Sequence, residues 1–178
     1  IDQSLDEKTY ELCKKYKLKY KKLKKIGLSR ARNVGIRESI GDYLIFLDDD
    51  IHINEDYFIQ IQEKLIEKSN IDCLTGRIIN LENQKIYSRH QIVDSREINY
   101  ENFDIVLSSG TVVKKSFFDS IGFFDEKFGL GAFYGGSEEA DLIIRGINNN
   151  KKIYYDSNLI IYHPKEEASL LDFSKRWS

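Results

Sequence analysis

The chain has no methionine, one proline and two cysteines among its 178 residues, and each shortage excludes something. One proline, with no Gly/Ser-rich stretch, leaves no linker composition and no domain boundary. Cys13 and Cys73 stand far apart and in no metal-type spacing, so neither a disulfide scaffold nor a cysteine-held zinc is expected. Two free, buried thiols fit a reducing compartment. No apolar run approaches the ~20 residues that span a bilayer. No signal peptide, internal repeat or low-complexity block stands out beyond a lysine run. There is no phosphate-cradling Gly-Lys-Ser/Thr loop and no Asp-x-Asp-x-Thr, which argues against phosphotransfer or phosphohydrolysis. A pI near 6.0 without a basic-aromatic stacking motif argues against nucleic acid.

What is present is one domain's worth of apolar and charged residues, 41% and 31%. The net charge of −2 conceals an asymmetry. Residues 1–41 carry 12 Lys/Arg and 5 Asp/Glu, and the rest carry 15 and 24. The basic segment Lys14–Lys25 reads either as a solvated face or as a patch for anionic lipid or a phosphorylated ligand.

Local patterns predict the elements. Ser4 and Glu7 form a capping box before a helix reaching Tyr16. Tyr16, Leu18 and Tyr20 alternate with lysines as in a short strand. Ser29 caps a helix Arg30–Ile40 that stops at Gly41. Tyr43–Leu47 reads as a buried strand. Asn54 caps a helix whose apolar stripe is Tyr57, Phe58, Ile61 and Leu65. Ile71–Thr75 and Lys85–Ser88 are expected strands. Ile105–Val113 is another, interrupted at Ser108, Ser109 and Gly110. Lys115–Ile121 and Glu138–Ile147 are expected helices, the first ended by Gly122. Lys152–Tyr155 and Leu159–Tyr162 complete the set. Alternating helices and strands predict an α/β fold: a mixed, mostly parallel sheet with helices on both faces.

The stretch Tyr43–Leu47 runs directly into Asp48, Asp49 and Asp50. In open α/β sheets ligands bind beyond the carboxyl ends of strands. In an extended chain Asp48 and Asp50 share a face, and hard divalent cations take oxygen ligands. Aspartates also favour turns and helix starts, so the spacing alone leaves a plain turn open. Gly135, Gly136, Ser137, Glu138, Glu139 and Asp141 make a second acidic cluster; its acids also suit a first helical turn. His163 follows an apolar strand, where an imidazole can ligate a transition metal. His52 and His90 have no comparable setting.

Taken in order, these residues resemble the family 2 glycosyltransferases. The matching segments are Gly27-Leu28-Ser29-Arg30-Ala31-Arg32-Asn33, then Tyr43–Asp50, and Ile121-Gly122-Phe123-Phe124-Asp125-Glu126. Gly136–Leu142 with Arg145, and finally His163, complete the match. The resemblance implies a GT-A, nucleotide-sugar-binding fold and inverting sugar transfer. The donor would be a nucleoside-diphosphate sugar, most readily a UDP-sugar. The acceptor would be a hydroxyl of a glycan or lipid-linked molecule in surface polysaccharide synthesis. It implies a divalent cofactor, Mn²⁺ or Mg²⁺, on Asp50 with His163, and Asp48 and Asp49 at the ribose or helping hold the metal. Asp2 would read the base and Arg30 would lie near the nucleotide. Glu139 would be the general base, where Asp is commoner. Glu138, Gly110, Gly135 and Gly136 would lie near acceptor or donor sugar.

Against that pattern the chain is expected to be one GT-A domain over residues 1–178. By that resemblance it would lack the family's first strand-loop-helix unit, and it would stop soon after His163, at the polar segment Lys175–Ser178. The expected location is the cytoplasm, at the inner face of the membrane if Lys14–Lys25 docks there. The competing expectation is a non-catalytic GT-A-like remnant that binds a sugar or a protein.

Overall fold

The computed structural model describes residues 1–87 and 92–164. Its six-stranded sheet is ordered β1-β5-β3-β6-β2, with β4 also on β6. The strands are β1 (Tyr43–Ile45), β2 (His52–Ile53), β3 (Cys73–Asn80), β4 (Arg96–Glu97), β5 (Val112–Lys114) and β6 (Ile153–His163). The helices are α1 (Lys8–Lys15), α2 (Leu28–Glu38), α3 (Tyr57–Glu67), α4 (Lys115–Ile121) and α5 (Glu138–Asn148). The α/β, mixed-sheet expectation is met. β3 and β6 pair in parallel, and β5 wedges antiparallel between β1 and β3. β1, β3 and β6 therefore run the same way, although most adjacent pairs are antiparallel.

Alternation along the strands divides the core in two. Cys73, Val113, Ile153 and Tyr155 face a cluster closed by Ile36, Phe117, Phe118, Leu142 and Ile143 of α2, α4 and α5. Leu74, Val112, Leu159 and Ile161 face Tyr57 and Ile61 of α3. Helices thus cover both faces. The two strands expected at 152–155 and 159–162 are one continuous strand. Its register against β3 jumps from Gly76↔Asp156 to Arg77↔Ile160, leaving residues 157–159 without a counterpart. This bulge broke the apolar pattern, and it moves the inward residues from one cluster to the other. Gly76 sits against it: a Cβ there would come 2.1 Å from the Leu159 carbonyl oxygen. The Asp156 carboxylate braces it, accepting from Ser95 Oγ at 3.1 Å and Asn158 N at 3.0 Å and pairing with Lys64 at 3.0 Å.

Several local expectations are corrected. α1 begins at Lys8, whose N–H donates to Asp6 Oδ1, so Ser4 caps nothing; Ser4 N instead donates to Asp2. Residues 16–20 form no strand; among the described residues the nearby bridge joins Asp2 to Lys22, beyond that stretch. Gly27, at φ 147°, precedes α2, and Ser29 is buried inside the helix. α2 ends at Glu38, where Ser39 Oγ donates back to the Gly35 carbonyl. Asp56, not Asn54, precedes α3, and Phe58 is exposed while Tyr57 and Ile61 are buried. Only a single bridge, Ile86 to Ile79, marks the strand expected at 85–88, and Ser88 lies outside the described residues. Phe103–Ile105 form a 3₁₀ turn and residues 106–111 a loop before β5, which is confined to Val112–Lys114. α4 matches its expectation, ended by Gly122 at φ 79°.

Candidate active site

The loop after β1, the loop before α5 and the end of β6 meet around a cleft of about 1110 Å³. Asp48, Asp49, Asp50, Glu138, Glu139 and His163 all line it, with Gly135 and Gly136 on its wall. The sequence separates the aspartates from the glutamates by about ninety residues; the fold brings them to one space. Among the described residues that line it, Arg32 is the one Lys or Arg, against five carboxylates. Such an excess of negative charge in a concave site favours a cationic or metal-bound ligand.

On the β6 side, His163 Nε2 lies 3.4 Å from Asp50 Oδ1, with the imidazole mostly buried and Asp50 half exposed. His163 Nδ1 is 2.7 Å from the Pro164 carbonyl. A carbonyl only accepts, so Nδ1 carries the hydrogen. In the neutral ring the Nε2 lone pair then faces the carboxylate, an arrangement that a cation between them relieves. Tyr87 packs on the ring at 4.8 Å. Among the described residues no group of three or more His, Cys, Asp or Glu comes together as a complete metal cage. Two protein donors fit a divalent ion whose remaining ligands are phosphate oxygens and water.

On the α5 side, Glu139 is half-buried and its carboxyl is pushed up to about 7. Burial is the first cause and the neighbouring Glu138 carboxylate the second, with Arg32 pulling the other way. Glu138 is buried and accepts from Arg32 Nη1 at 2.8 Å. Arg32 Nη2 donates to Ser108 Oγ at 2.8 Å and stands 3.8 Å from Asp48 Oδ1.

α2 and the loop before α5 are tied together by backbone contacts. Ser29 Oγ donates to the Phe128 carbonyl at 2.6 Å, and Asn33 both donates to and accepts from the Phe124 backbone. Gly129, at φ 96°, lets that loop pass: a Cβ would stand 3.0 Å from Ser29 Oγ and 3.3 Å from Glu138 Oε2.

Three expected site residues lie elsewhere. Arg30 is not among the lining residues and pairs with Glu126 at 2.5 Å. Asp2 is buried, and its carboxylate accepts from Ser4 N, Tyr20 Oη and Lys22 Nζ, while its neighbours Ile1 and Gln3 line the cleft. Those bonds, led by the one from Ser4 N, hold it well below the usual carboxylate range. Gly110 packs under Tyr57 and Ile161, and its φ of 78° serves the turn.

The residues missed in the sequence are Arg32 and Ser108. The buried face of α2 reads Ser29, Arg32, Asn33, Ile36, a helical stripe at i, i+3, i+4, i+7. An arginine in such a stripe needs a buried acidic partner, and that was the available signal.

Carboxylates at a strand end facing a second acidic pair across a cleft, in a mixed sheet covered by helices, define a domain of the GT-A glycosyltransferase class. The chain belongs to glycosyl transferase family 2, whose family model matches residues 1–126. It is similar to the glycosyltransferase GlyA of Streptococcus pneumoniae, 23% identical over 189 residues, covering 94% of this chain and 26% of that protein. It is 45% identical over 60 residues to an uncharacterized glycosyltransferase of Rickettsia conorii, covering 33% of this chain and 10% of the other. Its fold is shared with S. aureus TarS. Residues 1–349 of TarS in complex with UDP-GlcNAc superpose with a TM-score of 0.69 at 20% identity, over 95% of this chain and 49% of that one. A longer TarS structure gives 0.72 at 20% identity, over 98% and 31%. The chain therefore spans about a quarter of GlyA and half or less of these TarS chains. Among the described residues no helix is long and apolar enough to cross a membrane.

Proposed function

We propose that this domain carries donor binding and acceptor activation in a metal-dependent, inverting glycosyltransferase of surface polysaccharide synthesis. The observation that carries the reading is Glu139, a carboxyl raised to about 7 in the cleft that also holds Asp48, Asp49, Asp50 and His163. A base poised near neutrality is what proton removal from a sugar hydroxyl needs.

The donor class is a nucleoside-diphosphate sugar; TarS complexes with UDP-GlcNAc and with UDP support a uridine nucleotide. Asp50 and His163 would hold the divalent ion, Mn²⁺ or Mg²⁺, which when bound neutralises charge on the departing diphosphate. Asp48 and Asp49 would face ribose or complete that site. Glu139 takes the proton of the acceptor hydroxyl as its oxygen bonds to the anomeric carbon. The bond to the diphosphate breaks on the opposite side, so one displacement inverts the anomeric centre. The acceptor is a glycan or lipid-linked hydroxyl.

The test is calorimetric titration with UDP and UDP-sugars, with and without Mn²⁺. Metal-dependent binding that survives Glu139→Gln, with transfer lost in that variant, supports the reading. No metal-dependent binding would favour the alternative of a sugar- or protein-binding remnant. A fully active Glu139→Gln would show that another group is the base.

A further inference from the structure

We propose that Arg32 is a positioning residue: through Glu138 it fixes the first turn of α5 and so aims Glu139 into the cleft. The inference rests on Glu139 being the base. Three independent features of the structure carry it.

First, the Arg32–Glu138 pair is withdrawn from water, with side chains 7% and 6% exposed. Removing one member of such a pair leaves a buried charge uncompensated. Second, the guanidinium is used as a fork. Nη1 holds Glu138, Nη2 holds Ser108, and Asp48 lies a little farther off. Only a planar cation with donors at fixed angles reaches those groups at once; a lysine ammonium delivers charge but not the fork. Third, α5 starts from Ser137 in the left-handed region, φ 68°, ψ 16°. A non-glycine residue stays there when its surroundings impose it. Glu138, directly after it, is held by Arg32 on one oxygen, and a Cβ on Gly129 would stand 3.3 Å from the other. Arg32 therefore ties α2 and the 108 loop to the α5 turn.

Among the described residues, the charged groups acting on Glu139 are Glu138 on its own helix and Arg32 from α2, with Asp48 beyond the guanidinium. Asp141, also on α5, is engaged by Arg145 at 2.7 Å. Arg32 thus offsets Glu138, the neighbour that pushes Glu139 upward.

The experiment is a ¹³C side-chain carboxyl NMR titration of wild type, R32M, R32K and E138Q, with folding followed by circular dichroism and UDP affinity measured with Mn²⁺. In R32M the Glu139 titration should rise by about one unit or more. R32K should restore most of that shift, and E138Q should bring Glu139 down toward the ordinary carboxylate range. If R32M fails to fold, R32K and E138Q still decide: R32K should broaden or shift the Glu139 resonance although charge is kept, because the bond to Ser108 is lost. Unchanged Glu139 titration and chemical shift in the folded Arg32 variants would overturn the proposal. So would an effect confined to UDP affinity, which would make Arg32 a ligand contact only. Failure of the base assignment itself would show separately, as transfer by Glu139→Gln with these NMR couplings intact.

Discussion

His163 and Asp50, at the end of β6 and in the loop after β1, face each other at 3.4 Å across the cleft, the imidazole nearly buried and the carboxylate half in water. Replacing either should weaken UDP binding about tenfold or more in Mn²⁺, a loss of at least 1.4 kcal/mol. Binding without metal should change little. Titrations of His163→Ala and Asp50→Asn with and without Mn²⁺ check this; equal losses in both conditions would assign the pair to the nucleotide instead.

The raised Glu139 carboxyl predicts two pH effects. Transfer should increase as pH rises through about 7, because the base works deprotonated, and Glu139→Gln should lower it by about 10²–10⁴. Stability should move the other way. The folded chain keeps a proton on Glu139 up to about 7 that the unfolded chain releases near 4.5. Folding is therefore favoured below that window and loses this contribution as pH rises through it. Urea unfolding at pH 5 and pH 8 should show a smaller difference in Glu139→Gln than in wild type.

Gly76→Ala should be among the most damaging single-methyl changes. Its Cβ would lie 2.1 Å from the Leu159 carbonyl oxygen, a backbone atom that cannot swing aside. A cost of about 3 kcal/mol is expected, the upper end for overpacking. A lowered urea midpoint with unchanged slope would report it.

The two thiols should react at very different rates. Cys73 is fully buried, and burial pushes its thiol up to about 12. Cys13 is partly accessible on α1. Ellman's reagent at pH 8 should modify one thiol quickly in the native protein and the second only after denaturation.

How much of this was legible depended on the range of the forces involved. The aspartates after Tyr43–Leu47 and the acids opening α5 announce themselves, because carboxylates beside an apolar run are unfavourable without a partner. Elements with strong local signals, such as α4 and its glycine stop, were placed correctly. The lysine-rich stretch misled, since alternation there reflects solvent on several sides: Lys19 and Lys21 pair with Glu38, and Lys22 with Asp2. Arg30 and Arg32 could not be told apart by spacing near the nucleotide. Which of the two points inward is set by the rotation of α2, and that is decided by Ser29 and Asn33 gripping residues 124–128, contacts about ninety to a hundred positions away.

The three unpaired residues of β6 have a consequence for the cleft. An odd number inserted into a strand exchanges its two faces. Leu159 and Ile161 therefore point to the α3 side, and His163, two residues further, stays in phase with them beside Tyr87. With two residues in the bulge, or four, the same sequence beyond it would slip one position along β3, and His163 would no longer pair with Asn80. The imidazole would then emerge on the same side as Ile153 and Tyr155, away from Asp50. The parity of a short irregularity, several positions upstream, decides whether the cleft has its histidine.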